Sequence, residues 1–134
     1  MWNSIGKLTS PGGSGAYKNY YKATKDAKAN PRNYSVASSA VASALQQKGL
    51  PQSWLQPTLE LVARESSFNP NAKNPKSTAR GLFQFLDGTR KSYGGNSVNW
   101  NDPAQQALAG VQYIKDRYGT PEKALAFWDK NKWY

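Results

Sequence analysis

The chain has 134 residues, enough for one domain with a modest core and too few for two ordinary ones. Eighteen Lys and Arg against eight Asp and Glu give a net charge of +10, which favours polyanionic surroundings such as nucleic acid, anionic lipid or a teichoic-acid-bearing wall. Histidine and cysteine are both absent; this excludes disulfides, Cys/His zinc sites, Ser-His-Asp triads and Cys-His dyads, and leaves carboxylates as the proton-transfer groups of any enzyme built on this chain.

No apolar run approaches the roughly 20 residues of a membrane span. The opening MWNSIGKLTSPGGSG lacks the apolar core of a secretory signal, so any export is expected to use another route. Residues 1–33 read as a basic N-terminal extension. PGGSG, Pro11 to Gly15, has linker composition, and six Lys or Arg fall between Lys7 and Arg32. Tyr17, Tyr20, Tyr21 and Thr24 have helical spacing, which fits either a helix laid on the domain or a solvated tail.

From residue 34 to 134 the signals are helical. Val36, Ala37, Ala40, Val41, Ala44 and Leu45 form an apolar stripe that ends near Lys48, with Gly49 as C-terminal cap. Pro57 suits the first turn of a second helix, which runs through Leu59, Leu61 and Val62 to Ser66 or Ser67, where FNPNAKNP forces a loop. Asp102 and Pro103 start a third helix along Ala104, Ala107, Leu108, Val111, Ile114 and Tyr118, stopped by Gly119. Thr120 and Pro121 repeat that start for a final helix, EKALAFWDKN. No run alternates like a strand, so the expected fold is all-α, a single domain carrying a basic extension.

The eight carboxylates sort by position. Asp102 reads as a cap, Glu122 as a first-turn acid, Asp87 as part of an Asp-Gly turn, and Asp26 and Asp116 as solvated charges among basic neighbours. Glu60 lies about 140° around its helix from Glu65 and is not expected to share its face. Glu65 falls on the same face as Leu61 and Val62, in the last turn before a loop. Desolvation there raises a carboxylic acid's pKa toward that of a useful general acid. Asp129 is left as a second candidate.

The residues around Glu65 carry a resemblance. ESSFNPNAKNPKSTARGLFQF closely resembles the signature of the lytic transglycosylase domain of the lysozyme-like superfamily, Glu-Ser-x-Phe followed after a loop by Ala-x-Gly-Leu-Met-Gln. The matching residues are Glu65, Ser66, Phe68, Ala79, Gly81, Leu82, Phe83 and Gln84, with Phe83 in place of the usual methionine. Downstream, NDPAQQALAGVQYIKDRYG looks like the family's later helix. ALAFWDKN stands where Ala-Leu-x-Ala-Tyr-Asn is usual, which puts Trp128 at a tyrosine position and Asp129 at an asparagine position. The likeness covers roughly residues 50–134. The ending AFWDKNKWY also resembles such domains in phage tail tape-measure and other virion proteins.

The resemblance implies a lysozyme-like fold and cleavage of the β-1,4 bond between N-acetylmuramic acid and N-acetylglucosamine in peptidoglycan. Glu65 would be the single catalytic acid and base, with no metal or organic cofactor. It further implies that Ser66 and Gln84 position the sugar and the carboxylate, and that Gly81 allows close backbone approach. Phe85, Tyr113 and Trp128 are substrate-binding candidates, with Trp100 and Trp133, as rings that either stack on sugars or fill the core. Trp128 lacks the hydroxyl of the family's tyrosine, so Tyr113 or Tyr134 replaces it, or burial alone tunes the glutamate. The expected partners are glycan strands and the anionic wall, with other virion proteins if a phage tail delivers the enzyme. No nucleic-acid motif accompanies the basic segment, so no specific nucleic-acid partner is expected. Two alternatives stay open: a muramidase, in which Asp129 faces Glu65 at about 6.5–9.5 Å across an activated water, and a non-catalytic wall-binding module.

Overall fold

The computed structural model describes residues 20–131. Among these, six α-helices and two short 3₁₀ turns (Gln52–Trp54 and Gly95–Ser97) account for the regular structure: α1 (Tyr21–Ala29), α2 (Pro31–Gln47), α3 (Leu55–Ser66), α4 (Asp87–Ser92), α5 (Pro103–Tyr118) and α6 (Pro121–Asn131). The all-α expectation holds. Strand-like pairing within the described residues is confined to isolated bridges, Lys73 with Arg80 and Arg80 with Phe85. No helix described is long and apolar enough to cross a membrane. The PGGSG stretch, Tyr17, Trp133 and Tyr134 lie outside the described residues.

Local signals set the helix ends. Asn30 accepts the Asn33 N–H at 3.2 Å ahead of Pro31, Asp102 accepts the Ala104 N–H at 3.0 Å ahead of Pro103, and Thr120 accepts the Lys123 N–H at 3.2 Å ahead of Pro121. Each pairs an N-cap oxygen with a proline whose missing N–H is no loss in the first turn. Gly49 (φ 67°) and Gly119 (φ 88°) close α2 and α5 in the left-handed region that glycine adopts without a Cβ clash. The short α4 replaces the expected Asp-Gly turn: Asp87 sits in its first turn and pairs with Arg90 (3.7 Å) and Lys91 (3.5 Å).

The stripe of α2 is largely buried, from Ala37 through Leu45, and its small alanines let it pack most extensively on α5. Val36 is the exception, 43% exposed, because it lies at the stripe's outer edge.

Helix α3 is the central element, in contact with α1, α2 and α6. Every residue from Pro57 to Ala63 is buried, including Thr58 and Glu60. A helix covered on nearly all sides belongs to the core; Glu60 finds partners there, whereas the Thr58 hydroxyl has none among the described residues.

The chain leaves α3 through two consecutive left-handed residues, Ser67 (φ 52°) and Phe68 (φ 66°). That conformation costs a non-glycine residue about 1–3 kcal/mol. Burial of Phe68, fully enclosed and edge-on to Tyr34 at 5.2 Å, offsets the strain.

The described part of the tyrosine-rich stretch is a helix laid on the domain: α1 packs mainly against α3 and buries Ala23. Asp26 is not a solvated charge. Its side chain is 12% exposed and pairs with Lys22, which also donates to Ser67 Oγ at 3.0 Å.

Candidate active site

The site grows from the last turn of α3. Leu61 and Val62 are fully buried, and Glu65 follows them to a half-buried position. Burial pushes its carboxyl up to about 7, opposed by one hydrogen bond from the Trp128 indole. Trp128 Nε1 donates to Glu65 Oε2 at 2.8 Å. The tyrosine position of the sequence register is therefore occupied by a different donor, an indole N–H in place of a hydroxyl.

Behind Trp128 lies a buried ionic cluster. Arg64 donates from Nε to Glu60 Oε2 at 2.8 Å and from Nη1 to Asp129 Oδ1 at 2.9 Å. The Arg64 and Glu60 side chains are fully enclosed and that of Asp129 is 6% exposed. The Arg64 guanidinium carbon stands 5.1 Å from the centre of the Trp128 ring. Glu60 Oε1 accepts the Ala23 N–H of α1 at 2.8 Å. Burial pushes the Glu60 carboxyl up to about 7, against the pull of that N–H and of Arg64.

The loop after α3 is pinned beside Glu65 by buried polar groups. Ser66 Oγ lies 2.8 Å from Leu82 O and 3.0 Å from Val62 O, so its hydroxyl turns inward to tie the loop to the helix. Gln106, on α5, accepts the Leu82 N–H at 2.8 Å and donates to Trp100 O (2.8 Å) and Pro70 O (3.0 Å). Gly81 has φ 83°, and a Cβ there would lie 2.7 Å from Gln106 Oε1, so any other residue would strain the backbone and displace the Gln106 amide. Gln84, itself at φ 51°, donates from Nε2 to Gly81 O (2.9 Å) and Ala72 O (3.2 Å) and is half-buried. An open groove of about 240 Å³ runs beside Gly81, flanked by Lys73, Arg80, Arg90 and Trp100.

Of the sequence candidates, Glu65 and Trp128 meet directly, and Ser66, Gly81 and Gln84 share one loop framework. Phe85 and Tyr113 turn inward. They are 5% and 9% exposed, pack on each other with tilted rings 5.0 Å apart, and join Tyr93 and Trp100 in a cluster that supports the loop. Their place is core packing, because the loop folds back over α5. Asp129, the candidate second carboxylate, is bound to Arg64.

Gln106 was missed by the sequence reading. It lies three or four residues from Pro103, Ala109 and Gly110, so a polar side chain on an apolar face, the pattern that singled out Glu65, would have found it. The spacing of four between Glu60 and Arg64 was a similar signal.

An all-α domain that presents, at the end of its central helix and beside a loop of this build, a carboxyl whose pKa burial raises has the features expected of a lysozyme-like glycan-cleaving class. The chain belongs to the transglycosylase SLT domain family, which matches residues 39–130. It is similar to a protein of Staphylococcus haemolyticus (strain JCSC1435) named "Probable transglycosylase IsaA", 39% identical over 74 residues, covering 55% of this chain and 27% of that protein. A protein of the same name from Staphylococcus xylosus is also 39% identical over 74 residues, 55% of this chain and 26% of its own length. The chain thus spans about a quarter of the curated relatives it matches. No solved structure gives a significant match.

Proposed function

We propose that the domain is a peptidoglycan lytic transglycosylase that cleaves the β-1,4 bond between N-acetylmuramic acid and N-acetylglucosamine. Glu65, protonated, gives its proton to the departing glycosidic oxygen as the bond to the anomeric carbon breaks. The muramoyl N-acetyl carbonyl stabilises the charge that develops there, in the substrate-assisted manner that requires no second carboxylate. Glu65 then takes the proton of the sugar's own 6-hydroxyl, whose oxygen bonds the anomeric carbon and closes a 1,6-anhydro ring. No water is consumed.

The observation that carries this reading is that Glu65, pushed up to about 7 by burial against the opposing pull of the Trp128 indole N–H, stands apart from the Arg64 cluster, whereas Glu60, raised likewise, and Asp129 are bound to Arg64. A carboxyl with pKa near the working pH serves as acid and base in turn. In this reading Trp128 orients Glu65, Gln84 and Gly81 border the glycan, and Ser66, Phe85 and Tyr113 act through the loop they hold. The charge of +10 and the basic groove beside Gly81 suit an anionic wall as the working surface. The finer reading, local wall opening by a phage tail, rests on the resemblance of the AFWDKNKWY ending.

Mass spectrometry of products released from purified peptidoglycan, with Glu65→Gln as control, tests the reaction. Ends in 1,6-anhydro-muramic acid made only by the wild type are expected. Reducing ends one water heavier would make the enzyme a muramidase, and no release from walls of several bacteria would favour a binding module. Detection of the chain in purified virions would test the tail assignment.

A further inference from the structure

We propose that Arg64 is a positioning residue of this site: clamped between Glu60 and Asp129, it holds the Trp128 ring so that the indole N–H stays on Glu65. The proposal rests on the transglycosylase reading for its kinetic consequence and on geometry alone for its positioning claim.

The guanidinium is used on three sides. Its Nε edge meets Glu60 at 2.8 Å, its Nη1 meets Asp129 at 2.9 Å, and its carbon sits 5.1 Å from the centre of the Trp128 ring. A planar fork can hold two carboxylates and stack on an aromatic ring at once; a lysine ammonium, a point charge, cannot. Trp128 and Asp129 are adjacent on α6, so Arg64 grips that helix at two consecutive residues, one by its ring and one by its carboxylate. Arg64 is itself adjacent to Glu65 on α3. The two helices are thereby registered at the place where Glu65 and its indole donor meet.

A stability role alone accounts for this poorly. Taking a guanidinium and two carboxyls out of water costs several kcal/mol per ion, and well-packed apolar residues often serve stability as well or better. What an ionic cluster adds is direction: each hydrogen bond fixes an angle as well as a distance. The hold extends beyond the residues matched to the family. Glu60 is fixed on its other oxygen by the Ala23 N–H in the first turn of α1, where backbone donors are unspent and the helix dipole favours a carboxylate. Lys22, also in α1, braces Ser67, two residues after Glu65.

The test uses the full chain carrying Arg64→Lys, with turnover on soluble glycan strands and the ¹H–¹⁵N signal of the Trp128 indole, identified by its loss in Trp128→Phe. In the folded variant we expect the indole proton to move upfield as its bond to Glu65 weakens, and kcat to fall about tenfold or more with KM within about twofold. A folded variant with either the indole signal or kcat unchanged overturns the proposal. If Arg64→Lys does not fold, Asp129→Asn, which keeps the shape and weakens one arm of the clamp, carries the same test with a smaller loss of about threefold. Should the wild type release no product at all, the functional reading fails, while the indole signal still decides the positioning.

Discussion

Trp128 Nε1 donates to Glu65 Oε2 at 2.8 Å across 63 residues of sequence, and it is the hydrogen bond that tempers the effect of burial on the site's acid. Burial favours the neutral carboxyl and the indole N–H favours the ionised one. Replacing Trp128 with Phe removes a donor to a partly charged group, worth about 1.5–3 kcal/mol. The Glu65 pKa is expected to rise above its present value of about 7. Turnover should fall, and the alkaline limb of its pH profile should move to higher pH. A limb that stays in place would show that the indole does not tune the acid.

Glu65 itself sets a pH window. In the proposed role of proton donor it must be protonated, so turnover is expected to decline as pH rises through about 7. Its contribution to stability has the same sense. The folded pKa is raised from 4.5, so that contribution is fully present below about 4.5 and is lost as pH rises through about 7; buried Glu60 acts in the same direction. Glu65→Gln should lower kcat by about 10²–10⁴. Unfolding titrations from pH 4 to pH 9 should show the variant's stability falling less steeply than the wild type's.

Gly110 lies where α5 passes under the loop. A Cβ there would meet the Phe83 ring at 2.4 Å, and the ring is 2% exposed with little room to retreat. Gly110→Ala gains helix propensity of under about 1 kcal/mol but forces the loop outward, for a net loss of about 1–3 kcal/mol. Denaturant unfolding measures it directly. A variant as stable as the wild type would mean that the loop moves away freely.

Gln106→Leu leaves the Leu82 N–H and the carbonyls of Pro70 and Trp100 without their partner. The buried Leu82 N–H so orphaned costs about 1–3 kcal/mol, and the part-buried carbonyls less. Amide hydrogen exchange at Leu82 should accelerate by orders of magnitude more than in the middle of α2, because the loop is released locally. Equal acceleration in both places would point to global destabilisation instead.

Much of the fold was legible because it is locally encoded. Asp102 with Pro103, Thr120 with Pro121, and Gly49 and Gly119 mark helix ends through contacts a few residues long, and the boundaries read from them agree closely with the structure. Glu65 was legible for the same reason: a helical period and a following loop-forming stretch place an acid on an apolar face at a helix end, with no knowledge of what covers it.

The partners of that acid were not legible. Periodicity assigns a residue to a face, but α3 is enclosed by α1, α2 and α6, so facing away from Glu65 does not mean facing water. Glu60 is buried for that reason, and Asp129, which by sequence alone could have faced Glu65, is turned to Arg64. Phe85 and Tyr113 could be read as sugar platforms or as core, and it is the loop folding back over α5 that encloses them. Neighbours along the chain were enough to mark the four helices that carry their own end signals and to bring Glu65 forward as the leading candidate, with Asp129 kept beside it. Tertiary structure alone decided which donor holds that acid, and which carboxylates are withdrawn from it, because those pairings depend on how helices distant in sequence close the space around one another.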